Sequence, residues 1–241
     1  MISQFDNLER SKLVELAEET LWQEDGLPGR EYLLQTRQIR EETARKFRLG
    51  YVPLSVGHQL GDRIIFPIFD SSNNLIALSS RLIHNNKCSM PTYWHERFNK
   101  SCYLYGLNIA RDRIRQVGFT IVVEGNYDVL TCHDRGLTNV VGMLGNKITD
   151  FQLASILRYC ENIIFIFDSD ENQAGQKGAE KAAKNASKYE KKLINDYTSG
   201  LSLFNAGFVS LPEKDPDVFV RKHGIMPLKK LIQKKREKMC V

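Results

Sequence analysis

Six carboxylates fall at places where a chain could use them together. Glu124 follows the apolar run TIVV, and Asp128 comes four residues later in EGNYD. Asp168 and Asp170 end the run NIIFIFDSD, and Asp215 and Asp217 occupy EKDPD, shortly after FNAGFVSLP. Apolar runs of this length, ending in a turn signal, are consistent with buried strands. Clustered carboxylates raise one another's pKa unless a cation compensates. An oxygen-only, multiply acidic set suits Mg²⁺ or Mn²⁺, which keep waters and take substrate phosphates as further ligands.

Other uses of the same residues compete with this one. An acid at a strand end also serves as a turn former or a helix N-cap. Asp128, one helical turn beyond Glu124, would face the same rim, yet alone it reads as an ordinary helix-start acid. Asp168, Asp170 and Asn172 have the spacing of an EF-hand loop, but Gln173 stands where its glycine belongs and Ala179 where its final glutamate belongs. A phosphatase-type D-x-D nucleophile would leave Glu124 and DPD as coincidences. Three acidic groups at corresponding strand ends favour the metal.

The elements that must hold these acids alternate from about Thr120 onward. TIVVEG is a strand and YDVLTCHDRG a short helix; NVVGMLG is a strand, and TDFQ opens a helix with a capping box at Thr149. ENIIFIFD is a third strand, AGQKGAEKAAKNASKYEKK a long exposed helix, and FNAGFVSLP a fourth strand. Such alternation predicts a mostly parallel sheet with helices on both faces and a site beyond the carboxyl ends of its strands. Upstream, residues 7–48 read as two helical runs broken by DGLPG, followed by a hairpin, DRIIFPIFD–SSNN–LIALSSRLI. The expected fold class is α/β: an α+β N-terminal subdomain over 1–116, a catalytic sheet over 117–212, and DPD with a basic helical tail over 213–241.

The net charge is +5, and from Leu201 onward nine Lys/Arg face four Asp/Glu, so the tail carries all of it. That suggests a polyanionic partner, with a solvated helical face as the plainer reading. Cys88, Cys102, Cys132, Cys160 and Cys240 form no C-x-x-C pair, which argues against zinc and against a disulfide framework. Free thiols, no signal pattern and no membrane-length apolar run predict a cytoplasmic protein without a membrane partner. Tyr93 and Trp94 read as base-stacking candidates in a polar loop, Tyr103 and Tyr105 as core, and His95 as exposed. Gly142 and Gly145 read as a strand-end turn close to the acids.

Taken together, EGNYD, DSD and DPD resemble a Toprim domain, the metal-binding module shared by primases, topoisomerases and some nucleases. The flanking segments are similar to the RNA-polymerase core of DnaG-type primases: EYLLQTRQIREETARKFRLGYVP, RIIFPIFDSSNNLIALSSR, FNKSCYLYGLNIA, VVEGNYDVL and KDPDVFVRKHG occur in that family's order. The resemblance runs from about Arg30 to Gly224. It implies that Glu124, Asp128, Asp168, Asp170, Asp215 and Asp217 are metal and catalytic acids, with Glu124 a general base or ligand. It implies that Arg81, Lys100, Lys87 and Lys46 line a template and nucleotide groove; Arg221 and Lys222 would contact phosphates. Expected partners are single-stranded DNA and NTPs, with a replicative helicase or a separate zinc-binding subunit acting in trans. The implied activity is metal-dependent RNA primer synthesis, in a phage or mobile element. A Toprim nuclease and a non-catalytic single-strand-binding subunit are the alternatives.

Overall fold

The computed structural model describes residues 6–56, 60–84, 90–145, 147–169, 176–186 and 205–239. The chain divides into two compact units, Met1–Asn99 and Lys100–Val241. This division falls earlier than residue 116, because the segment after Lys100 supplies a strand and a helix to the second sheet.

In the first unit, α1 (Asn7–Trp22) starts at a capping box. Asp6 Oδ1 accepts from the Leu8 and Glu9 backbone N–H groups at 2.8 Å, and Glu9 Oε2 accepts from Asp6 N–H. The helix lays Val14 and Ala17 on a four-stranded antiparallel sheet, β1 (Gly50–Val52), β2 (Arg63–Phe69), β3 (Leu75–Leu82) and β4 (Tyr93–His95), in that order. Its approach requires Gly50, where a Cβ would sit 2.6 Å from that of Ala17. The expected β2–β3 hairpin is present. Asp70 Oδ1 accepts from the Ser72 and Asn74 N–H groups across its turn, and Asn73 takes φ +68°. A buried ion pair, Arg10 to Glu96 at 2.7 Å, ties α1 to the strand-end loop.

The helical runs of this unit break where expected and once more. α1 ends at Trp22 with Gln23 extended, and a single 3-10 turn over Glu24–Gly26 leads into α2 (Leu27–Glu31), which has Pro28 in its first turn, where a missing N–H costs nothing. A second break follows. A wide turn over Tyr32–Thr36 closes with the Arg37 N–H on the Tyr32 carbonyl, Gln38 takes φ +55°, and α3 (Glu41–Lys46) starts afresh. Tyr93 and Trp94 lie on β4 rather than in a loop, and Trp94 packs against the core. His95 is exposed, as expected, and its Nδ1 lies 2.9 Å from Ser79 Oγ in a hydrogen bond.

The second unit is built on a five-stranded sheet in the order β5-β7-β6-β8-β9. β6 (Phe119–Val123), β7 (Val140–Met143), β8 (Asn162–Phe165) and β9 (Asn205–Phe208) are parallel; β5 (Leu104–Tyr105) is antiparallel to β7 at the edge. α4 (Leu107–Val117), α6 (Asp150–Leu157) and α7 (residues 176–186) contribute to one apolar cluster with Val122, Val141, Ile163 and Phe165. α5 (Asn126–Asp134), α8 (Pro216–His223) and α9 (Ile225–Met239) complete the unit. The predicted capping box of α6 is present, Thr149 Oγ1 accepting from Gln152 N–H at 3.2 Å. Gly142 is inside β7, not in a turn. Among the described residues no helix is long and apolar enough to cross a membrane.

Candidate functional site

β6 and β8 are neighbours in parallel register, with Val122 opposite Phe165. The register alone carries Glu124 and Asp168 past adjacent strand tips, and the Asp168 N–H donates to Glu124 Oε1 at 3.2 Å. The next residue fastens the third acidic stretch. Ser169 N–H donates to the Lys214 carbonyl at 2.5 Å, and Ser169 Oγ donates to the Leu211 carbonyl at 3.0 Å. Asp215 follows directly as the N-cap of α8, its Oδ1 accepting from Val218 N–H at 2.7 Å. Pro28-like logic recurs here, since Pro216 occupies the first position of that helix.

Asp128 joins the rim from the first turn of α5. Its Oδ2 accepts from Gly125 N–H, and its Oδ1 accepts from the Asp217 backbone N–H, both at 2.9 Å. Burial pushes its carboxyl well above the usual carboxylate range, helped by the charges of Asp215 and Asp168, against the two N–H donors. Asp217 is buried and oriented differently. It takes a two-point contact from Arg221, Nε at 2.9 Å and Nη2 at 3.0 Å, and accepts from Thr131 Oγ1 at 2.7 Å. Arg221 is therefore engaged by an acid of its own helix. Lys222 likewise donates to Glu213 Oε1 at 2.8 Å, with the His223 ring on the same oxygen.

Lys100 opens the second unit in a short turn whose backbone is clamped to α6: its carbonyl and that of Tyr103 accept from Gln152 Nε2. Burial holds its ammonium below the usual lysine range. Within the first unit, Arg81 lies on β3 in register with Tyr93. Arg81 Nε donates to Tyr32 Oη at 2.7 Å and Nη1 to Tyr93 Oη at 2.6 Å, with the guanidinium 4.8 Å from the Tyr93 ring centre. Arg37 Nε donates to the same Tyr32 oxygen at 3.0 Å. Tyr32 and Arg37 were not singled out in the sequence; the bridge between them and Arg81 spans 49 residues. Lys46 is exposed in the last turn of α3.

Residues 121–206 match the Toprim-like family. The chain is 35% identical over 168 residues to the DNA primase of Pseudomonas putida, covering 68% of this chain and 23% of the relative. It is 29% identical over 233 residues to that of Legionella pneumophila, covering 83% and 38%. A DNA primase domain from Pseudomonas aeruginosa superposes with a TM-score of 0.75 at 27% identity, over 93% of this chain and 77% of that one. The chain has the fold of a DnaG-type primase core, with a Toprim domain in its second unit. It spans well under half the length of the two curated relatives.

In this primase-type core the acids of the Toprim sheet form an oxygen-only donor set, the kind that hard divalent cations take. The Asp128 carboxyl is raised first by burial and then by the charges of Asp215 and Asp168, and a cation at the rim would relieve the second of these. Among the described residues no three acidic, His or Cys side chains already converge as a closed metal cluster. Asp170 and Lys87 lie outside the described residues. The site thus matches the metal in chemistry, with Asp217 already neutralised by arginine.

Proposed function

We propose that this chain is the catalytic core of a DNA primase, making short RNA primers on single-stranded DNA in phage or mobile-element replication. One observation carries the reading: acids from three separate stretches gather at one rim of a Toprim-like sheet, in a chain with the primase-core fold. Glu124, Asp168, Asp170 and Asp215 would hold Mg²⁺ or Mn²⁺, with Asp128 behind them. Bound divalent ions would supply charge neutralisation for a triphosphate and a lowered pKa for a ribose 3′-OH. Glu124, fixed by the Asp168 N–H, is placed to accept the 3′-OH proton. The 3′ oxygen then attacks the α-phosphorus, an O–P bond forms, and pyrophosphate leaves. Asp217, engaged by Arg221 and Thr131, would anchor α8 beside these ligands.

Within the first unit Arg81 with Arg37, bridged by the Tyr32 hydroxyl, offers guanidinium groups for phosphates of the template or NTP, and Lys46 and Lys87 would add charge there; Lys100 is a separate candidate on the second unit. A helicase or a zinc-binding subunit would act in trans. The test is de novo synthesis on single-stranded DNA with labelled NTPs and Mg²⁺ or Mn²⁺, comparing wild type with Asp168→Ala. Short RNA products that vanish in the variant are expected. Metal-dependent cleavage of the template without synthesis would overturn the reading in favour of a nuclease.

A further inference from the structure

Helix α9 carries six Lys/Arg (Lys229, Lys230, Lys234, Lys235, Arg236 and Lys238) against one acid, Glu237. Six minus one is +5, the formal net charge of the whole chain, so every other residue sums to zero. The structure sorts these cations into two sets. Lys235 lies with its ammonium 5.1 Å from the Phe208 ring centre, and its stem would meet a Cβ placed on Gly207. Arg236 lies 4.1 Å from the Phe119 ring centre. Both are half-buried and serve to seat the helix on its sheet. Lys230, Lys234 and Lys238 are exposed.

These three recur at four-residue steps, so they form one row, spaced about 6 Å apart along the helix and about 12 Å overall. Like charges at that spacing cost an isolated helix roughly 0.2–0.5 kcal/mol per pair. The row therefore works against the helix that bears it. Nor is it compensated. Among the described residues none of the three has a carboxylate within ion-pair distance, and Glu237 accepts instead from Gln233 Nε2 at 3.0 Å. An ordinary solvated helix face intersperses acids at these steps, as Lys184 and Glu180 do on α7. At the head of the row stands Met226, 60% exposed.

The row is also remote from the acidic rim. Arg236 covers Phe119, the first residue of β6, whereas Glu124 follows the last. Five residues of strand separate them by about 16 Å. We infer that the outer face of α9 is a docking strip for a sugar–phosphate backbone, holding a nucleic-acid strand away from the site where bonds are made. Its choice of nucleic acid among polyanions rests on the primer-synthesis reading above. The strand form, single-stranded template or primer–template duplex, shares one chemistry and is separated by the test.

The variant Lys230→Gln/Lys234→Gln/Lys238→Gln keeps good helix formers and removes the row. The control removes three exposed lysines of α7: Lys177→Gln/Lys181→Gln/Lys184→Gln. Fluorescence anisotropy with labelled single-stranded and duplex oligonucleotides is read across a salt series. For the α9 variant, binding about tenfold weaker than wild type is expected. The slope of log K against log salt should be shallower by about 2, since each phosphate contact to a single strand contributes about 0.7. Melting temperature should hold or rise as self-repulsion is removed. The oligonucleotide whose binding falls names the strand form. Affinity and slope equal to wild type, or reduced no more than in the α7 control, would overturn the strip and leave a solvated helix. The primer gel is a separate readout: primers with unchanged binding sink only the strip, whereas weakened binding without primers sinks only the primase reading.

Discussion

Asp217 shows how far a residue's type alone determines its use. The spacing of DPD marks it as one more acid at the rim, and that much is legible in the sequence. Its neighbours give it a structural use that the motif does not announce: Arg221 covers both carboxylate oxygens and Thr131 donates to one of them. The arginine was within reach of sequence reasoning, being four residues on along a helix. Thr131, 86 residues away, was not. Truncating one partner of a buried pair leaves the other charged and dry, at about 3–5 kcal/mol, with the lower end apt here because Arg221 keeps a quarter of its side chain exposed. Arg221→Gln should therefore lower stability by about 3 kcal/mol in urea melts. Adding Asp217→Asn should cost much less than the sum of the single changes. Strict additivity of the two would show that Arg221 and Asp217 do not act as a pair within α8.

At the scale of elements, what could be read from sequence was whatever left a local periodic mark. The four parallel strands, the β2–β3 hairpin and the capping box TDFQ all did. β5 is two residues long and leaves no period, so the antiparallel edge stayed hidden. The wide turn after Tyr32 depends on Gln38 entering the left-handed region, which no propensity of glutamine announces. Two elements can be tested singly, α6 through its cap and α5 through its approach to β7. Thr149 caps α6 and also donates to the Ser101 carbonyl at 2.6 Å, joining the helix to the Lys100 turn. Thr149→Ala should cost about 1–2 kcal/mol, with Thr149→Ser recovering most of it, as read by chemical denaturation. Gly142 lets α5 approach β7: a Cβ there would lie 3.1 Å from Val129 Cγ2, and α5 carries Asp128. Gly142→Ala should destabilise by about 1 kcal/mol. Because the strain reaches Asp128 through its helix, primer synthesis should fall more than stability predicts; equal retention of activity would place the strain elsewhere.

The whole molecule offers a way to watch the metal act on one unit. The chain's two tryptophans, Trp22 and Trp94, both belong to the first unit, whereas all the rim acids belong to the second. The same partition follows from the expected boundary at residue 116; only the assignment of residues 100–116 needed the pairing of β5 with β7. A ligand that binds the folded state alone stabilises it by RT ln(1 + [L]/Kd), about 2.7 kcal/mol at a hundred times Kd. For a unit of this size that corresponds to a rise in Tm of about 8 °C. Mg²⁺ or Mn²⁺ should therefore raise the transition seen by far-ultraviolet circular dichroism in wild type and not in Asp168→Ala. Tryptophan fluorescence decides how the stabilisation spreads. If the units unfold independently, its transition stays where it was in the absence of metal. If they unfold as one, it moves by the same amount. A metal-induced rise that survives Asp168→Ala undiminished would remove the cation from the acidic rim altogether.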